Sequence, residues 1–171
     1  DPASWRSLEV ERTIRSGTTD GTLLSAIDRT CRPMGARMLR QWLRFPLCDI
    51  EHIEARQSAI AALLEAPATL KQLRERFDAI CDIERIIARL SVNRATPRDL
   101  ASLGRCLEAM PKLLDLLASL PRADDVAPEL SSSREFCIEQ ARFLNGAIVP
   151  DPPAHLREGG VIAPGFDAEL D

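Results

Sequence analysis

The feature that most constrains the fold of this chain is a series of helix start signals, each followed by apolar residues at helical spacing. The clearest spans residues 96–99, Thr-Pro-Arg-Asp, with an N-cap threonine, a proline in the first helical position and an acid three residues after the cap. Further starts are predicted at Pro33, Asp49, Pro67 and Asp82. The signals precede leucine, isoleucine or methionine side chains three or four residues apart, which indicates helices with one buried face.

Two more helices complete the pattern, one over residues 22 to about 29 and a last one from about 132 to 146. Pro111 either kinks or restarts the helix that begins at Pro97. Only 4% of the residues are aromatic and tyrosine is absent, whereas leucine, alanine and arginine are abundant and lose little rotamer freedom in a helix. We therefore predict an all-α, multihelical fold of about seven or eight helices.

We predict three parts along the chain. Residues 1–21 lead into the core and contain a possible short strand at Leu8–Val10, and residues 22–149 form the helical core. Residues 150–171 form a Pro/Gly loop with a second possible strand at Val161–Ile162, so the fold has at most one short two-stranded element. The chain starts abruptly at Asp1 and stops in a polar stretch, and we expect it to be a piece of a longer protein.

The charge of the chain is distributed unevenly. The formal net charge is −4, whereas nucleic-acid-binding modules are usually basic, yet residues 28–44 hold five arginines and one acid. Arg37, Arg40 and Arg44 recur at three- and four-residue spacing and therefore share one helix face. This face is either a stripe that contacts DNA phosphates or a solvated face with ion pairs to nearby acids. The acidic net charge favours the second interpretation.

The opposite face of the same helix is apolar. Met34, Met38 and Trp42 lie along it at four-residue spacing. We predict that Trp42 is buried in the core and does not stack on a nucleic-acid base. Its replacement by alanine would then cost about 3–5 kcal/mol.

Arginines also flank the helix start at Pro97. Arg85 and Arg89 lie one turn apart on the preceding helix, and Arg94 and Arg98 lie on either side of the start. An arginine stem covers apolar surface while its guanidinium bridges carboxylates on a neighbouring helix. We predict that these arginines hold helices together and do not bind ligands.

The residues that usually carry catalysis or metal binding are sparse. The five cysteines include no C-x-x-C pair, which argues against a zinc site or a disulfide framework and favours buried free thiols. His52 lies near acids at a helix start, but we favour a simple helix residue over a metal ligand, and His155 lies beside no nucleophile. No P-loop motif is present. We predict no catalytic, cofactor-binding or metal-binding residue.

In their order along the chain, three groups of motifs resemble the core (lever) domain of MutS-type DNA mismatch repair proteins. They are Leu8-Glu9 with Thr22-Leu-Leu-Ser-Ala-Ile-Asp-Arg-Thr30, Met34-Gly35, Arg37-Met-Leu-Arg40, Trp42-Leu43, Pro46-Leu47 and Asp49; Asp82-Ile-Glu-Arg85 with Arg89 and Arg94-Ala-Thr-Pro-Arg-Asp-Leu100; and Asp151-Pro-Pro153 with Gly159-Gly-Val-Ile162, Gly165-Phe-Asp167 and Leu170-Asp171. The likeness runs from about Ser7 to Asp171, and the bacterial mismatch-recognising branch fits best. The stretch from Pro121 to Ser133 matches no family motif.

The resemblance implies a mechanical role. In this family an N-terminal domain inserts a Phe-x-Glu wedge at the mismatch, a C-terminal domain hydrolyses ATP, and the core joins them through long helices. The chain is then the first half of the core, up to the start of the clamp that grips DNA, without catalysis of its own.

The resemblance also implies cofactors and partners. ATP and magnesium belong to the full-length family, and no cofactor is expected in this segment. The implied partners are mismatched double-stranded DNA, a second copy of the protein and a MutL-type protein, with no membrane and a cytoplasmic location. A generic all-helical protein-interaction module is the alternative, and a small helical enzyme is a weaker one because of the few histidines and the absent tyrosine.

Overall fold

The computed structural model describes residues 2–121, 130–169 and 171, and the chain divides into two compact units, Asp1–Ile50 and Glu51–Asp171. The described helices are α1 (Pro2–Ser7), α2 (Leu23–Ile27), α3 (Pro33–Arg44), α4 (Ile50–Glu65), α5 (Pro67–Arg76), α6 (Ile83–Ser91), α7 (Pro97–Ala118) and α8 (Leu130–Ala147). Two short 3-10 turns, Phe77–Ala79 and Leu156–Glu158, accompany them. The described part of the chain contains no β-sheet, and the predicted all-α fold is confirmed.

The helix starts follow the signals in the sequence. The Thr96 hydroxyl accepts the backbone N–H of Asp99 at 3.2 Å, and the Asp99 carboxylate accepts the backbone N–H of Thr96 at 2.9 Å. The Asp82 carboxylate caps α6 by accepting a backbone N–H three residues later. Pro33 and Pro67 occupy the first turns of α3 and α5, where a missing N–H removes no helical hydrogen bond.

The longest helix, α7, organises the second unit. It runs through Pro111 without a break and packs against α5, α6 and α8. Its buried side includes Ala101, Cys106, Leu113 and Leu114. Of the two predicted alternatives, a restart at Pro111 is wrong, because one helix continues through it with buried residues on both sides of the proline.

The strand predicted at Leu8–Val10 is wrong. The Leu8 N–H donates to the carbonyl of Ser4 at 2.9 Å, and Glu9 has a left-handed φ of 48°, so the chain turns at the end of α1. The apolar spacing of these residues reflects a turn that buries Val10 and not an extended strand. Of the second predicted strand, Ile162 forms one isolated antiparallel bridge, and its partner is Ile148 at the end of α8.

The second helix is shorter than predicted because Asp28 ends it. The Asp28 carboxylate accepts the Thr30 backbone N–H at 2.9 Å and the Thr30 hydroxyl at 2.7 Å, and these bonds lower the pKa of Asp28. At the other end of the chain, α8 is slightly longer than the predicted 132–146. Residues 122–129, which make up most of the stretch that matches no family motif, lie outside the described residues.

The prediction that Trp42 is buried is wrong. Trp42 is 40% exposed and Met38 is 52% exposed, and α3 contains no buried residue. An amphipathic stripe predicts which side of a helix prefers contact, but full burial also requires a neighbouring element along its whole length, and this side of α3 stays partly exposed. The prediction of buried free thiols is confirmed for Cys106 and Cys137, whereas Cys48 is exposed and Cys31 and Cys81 are half-buried.

Candidate functional site

The arginine face of α3 lines a cleft of about 320 Å³ in the first unit. Arg37, Arg40 and Arg44 lie on its wall together with Glu11 and Phe45. The structure therefore brings together the three arginines that the sequence placed on one face. A cleft with three guanidinium groups and one carboxylate is positive overall, which is a suitable environment for an anion.

Acids of the same unit already engage part of this positive charge. Arg44 Nη2 lies 3.2 Å from Glu11 Oε2, and the Arg44 guanidinium lies over the Trp5 ring, 5.5 Å from its centroid. The charge of Arg40 helps to lower the pKa of Asp28. These contacts favour the interpretation of the α3 arginines as a face with local ion pairs over a dedicated phosphate stripe.

In the second unit, α7 and α8 form an antiparallel pair held by polar bridges along its length. Arg134 Nη1 on α8 pairs with Asp115 Oδ1 near the end of α7. Nearer the start of α7, Asn145 Nδ2 on α8 donates to Glu108 Oε2 at 3.0 Å. We call these two contacts, together with two hydrogen bonds from α7 to the chain just after α8, the α7–α8 bridges.

The chain after α8 is also attached to α7. Arg105 Nη1 donates to the carbonyl of Pro150 at 3.0 Å, and Arg98 Nε donates to the carbonyl of Pro152 at 3.1 Å. The α7–α8 bridges thus begin in the first turn of α7 and extend to its last turns. Of these residues, the sequence analysis singled out only Arg98. The others lie in no motif, and their spacing along the chain does not predict which residue each contacts.

Close packing accompanies the polar bridges. A side chain on Gly104 would collide with the Asn145 side chain and lie 3.1 Å from Leu144 Cβ, so the glycine allows α8 to approach α7. Nearby, Ala101, Ala147 and Ile148 form a buried apolar cluster. The absence of a side chain at Gly104 and the small side chains of Ala101 and Ala147 therefore leave little space between the two helices.

A buried thiol lies in the same interface. Cys106 is fully buried, with Cys81 and Cys137 as neighbours, and burial raises the pKa of the Cys106 thiol to about 12. Burial also raises the pKa of Cys137. Both thiols are therefore protonated at neutral pH and act as small apolar groups, because the thiolate is the nucleophilic form.

The start of α7 is tied to α6 by a charged network. Arg89 Nη2 lies 2.5 Å from Asp99 Oδ1, the same carboxylate that caps α7 through Thr96. Burial opposes the charge of Asp99, but the hydrogen bonds from Thr96 and the charge of Arg89 more than offset it, and the pKa of Asp99 is lowered. The predicted role of holding helices together is confirmed for Arg89, which joins α6 to α7. Arg98 instead bonds a backbone carbonyl of the chain after α8, and Arg85 and Arg94 pair with no described acid.

The two histidines lie on different elements of the fold. His52 is on α4, and His155 precedes the 3-10 turn at Leu156–Glu158. Within residues 2–121 and 130–169, no three His, Cys, Asp or Glu side chains are arranged to hold a metal ion. No described helix has the length and apolar character needed to cross a membrane.

Comparison with known families identifies the family to which the chain belongs. The family model described as MutS domain III matches residues 3–169. The match therefore covers both units, including the α3 arginines and the α7–α8 pair. The chain belongs to the MutS family of DNA mismatch repair proteins and corresponds to the core (lever) domain of these proteins.

Proposed function

We propose that this domain is a structural lever: in the full-length protein it couples the regions that contact mismatched DNA to the region that hydrolyses ATP. It performs no catalysis of its own, and ATP and magnesium act elsewhere in the protein. Mismatched double-stranded DNA, a second copy of the protein and a MutL-type protein are the partners of the full-length molecule, in the cytoplasm. Family membership supports this role, and the packing of α7 against α8 carries the argument for this chain.

The α7–α8 pair has the length that a lever requires. At about 1.5 Å per residue, the 22 residues of α7 span about 33 Å and the 18 residues of α8 about 27 Å. A displacement at one end of such a pair reaches the other end only if the helices do not slide or bend independently. Close-packed interiors resist such movement and transmit strain.

The α7–α8 bridges provide this resistance at several points. The contact of Arg134 with Asp115 and that of Asn145 with Glu108 join the helices directly. Arg98 and Arg105 attach the chain that leaves α8 to the other half of α7. Because the contacts are distributed along the pair, a force applied at one end acts on both helices together.

The test removes the hydrogen bonds of Arg98 and Arg105 without creating a cavity in the core. In the full-length protein, the double variant Arg98→Gln/Arg105→Gln should keep basal ATP hydrolysis and DNA binding but lose most of the stimulation of ATP hydrolysis by mismatched DNA. Arg142→Gln is the matched control, because Arg142 is an exposed arginine on α8 with no partner among the described residues. Unchanged stimulation in the double variant, measured as the ratio of rates with and without mismatched DNA, would contradict the proposal.

A further inference from the structure

The second unit contains a cleft that the lever role does not use. It has a volume of about 610 Å³ and lies between residues 93–97 and residues 154–158. The volume is within the range of about 300–1,000 Å³ that is typical of small-ligand sites. Its walls combine apolar side chains with Asn93, Arg94, His155, Arg157 and Glu158.

The fold holds both walls in position. Asn93 has a left-handed φ of 55°, and the Arg94 N–H donates to the carbonyl of Arg89 at 2.8 Å, which ends α6 and directs the chain to the start of α7. On the other wall, the bond from Arg98 to Pro152 attaches the chain before His155 to the first turn of α7. The two walls are therefore anchored to the same helix start.

The charge that faces the cleft is mainly positive. Arg94 and Arg157 are exposed, and neither pairs with an acid among the described residues. The one carboxylate on the wall, Glu158, uses Oε1 to accept the backbone N–H of His155 at 2.9 Å. Two guanidinium groups, with the imidazole of His155 nearby, are thus available to a ligand.

The cleft differs in this respect from the one beside α3. In the cleft beside α3, Arg44 forms an ion pair with Glu11, and the charge of Arg40 interacts with the carboxylate of Asp28. In the cleft of the second unit, the guanidinium groups belong to two separate segments of the chain and have no carboxylate partner in the part of the chain that the structure describes. An anion entering the second cleft therefore displaces no described ion pair.

We propose that this cleft binds a phosphate group, held between Arg94 and Arg157. A guanidinium presents a planar fork of N–H donors that matches both carboxylate and phosphate. A phosphate offers oxygens to two forks at once, whereas one fork occupies both oxygens of a carboxylate. The phosphate belongs either to a small free molecule or to a nucleic-acid backbone, which share this chemistry.

The first experiment maps binding on the 171-residue chain by following its backbone amide NMR signals during titration with inorganic phosphate and pyrophosphate. We expect shifts at residues 93–97 and 154–158, and a weaker or absent response to acetate. Arg94→Gln and Arg157→Gln should each reduce the affinity for pyrophosphate about tenfold, the value of one lost charge-assisted hydrogen bond. Arg142→Gln, the same change on α8 away from the cleft, should leave the affinity unchanged.

The second experiment identifies the source of the phosphate. Binding of a short labelled DNA duplex is measured at several salt concentrations for the wild type and for Arg94→Gln/Arg157→Gln. If the ligand is a DNA backbone, the double variant should make the negative slope of log affinity against log salt shallower by about 2. If it is a free phosphate, DNA binding should be unchanged while pyrophosphate binding is lost.

Three results would overturn the proposal. The first is the absence of phosphate-dependent shifts in the cleft of the wild type. The second is equal affinity for pyrophosphate in the cleft variants and in Arg142→Gln. The third is binding of acetate at the same residues as tightly as phosphate. Far-UV circular dichroism checks that each variant keeps its helices, which we expect because both arginines are exposed.

Discussion

Helices α3 and α7 begin with the same kind of signal but end in different surroundings. Each has a proline in its first turn and an apolar stripe along one side. In α7 the stripe is covered and six residues are buried, among them Cys106 and Leu113. In α3 no residue is buried, and Trp42 and Met38 remain partly exposed.

The comparison shows that amphipathicity and burial are separate properties. A stripe of apolar residues makes one side of a helix suitable for packing, but the free energy of burial is gained only where another element covers it. Helix α7 has α8, α5 and α6 as neighbours. Stability of the isolated chain should therefore depend strongly on the contact between α7 and α8 and weakly on the apolar face of α3.

The largest effect is expected at Gly104. Gly104→Val places a branched side chain against Leu144 and Asn145 and should destabilise the chain by about 3 kcal/mol through overpacking. Urea unfolding followed by circular dichroism measures the change. Gly146→Ala on α8 is the control, since no atom lies within 4 Å of its added methyl group and a helical Gly→Ala change is neutral or stabilising by up to about 1 kcal/mol. Equal stability of the two variants would show that the helices are not in close contact at Gly104.

The next effect concerns the capping network of α7. Asp99→Asn removes the charge that accepts hydrogen bonds from Thr96 and Arg89, and should cost about 2 kcal/mol at neutral pH. The pKa of Asp99 is lowered from 3.8 in the folded state, so this stability is present above pH 3.8 and is lost as the pH falls through the lower folded value. The difference between wild type and variant should accordingly shrink in acid.

Asp115→Asn is the control for this network. Asp115 also pairs with an arginine, but its side chain is 58% exposed, and an exposed pair contributes less than about 1 kcal/mol. A loss at Asp115 as large as that at Asp99 would mean that the burial of the α7 cap has no special effect on stability.

A further effect appears only at alkaline pH. The pKa of Cys106 is raised from 9.0 to about 12, so the folded state keeps the proton that the unfolded state releases. The contribution is fully present below pH 9.0 and is lost as the pH rises toward 12. Cys106→Ala should remove this part of the slope, whereas Cys48→Ala, at an exposed position, should not. Identical slopes in both variants, from thermal melts at pH 8 to 11, would contradict burial of Cys106.

The smallest effect is expected on α3. Trp42→Ala should cost only about 1 kcal/mol, well below the 3–5 kcal/mol of a fully buried tryptophan, because Trp42 is 40% exposed and α3 contains no buried residue. Leu24→Ala is the control within the same unit, since Leu24 is 5% exposed and should cost about 3 kcal/mol. A cost for Trp42→Ala as large as that for Leu24→Ala, independent of protein concentration, would show that the α3 face is covered within one chain.

The sequence was informative where the physical cause is local. The cap at Thr96 and Asp99 forms between atoms three residues apart, and the prolines at Pro33 and Pro67 have the same effect wherever the helix lies. It failed at Leu8–Val10, where apolar spacing resembled a strand and the backbone instead turns at Glu9. A short apolar pattern does not distinguish a strand from a turn that buries one side chain.

The sequence by itself determined that the chain is helical, where most of its helices begin and which family its motifs resemble. The tertiary structure decided that α7 contains buried residues and α3 contains none, that Arg105 reaches Pro150, and that Arg94 and Arg157 line one cleft. The physical reason is the separation along the chain between the residues that interact. Caps and helix periods depend on neighbours within about four residues, whereas burial and bridges join residues tens of positions apart, and no local pattern records those partners.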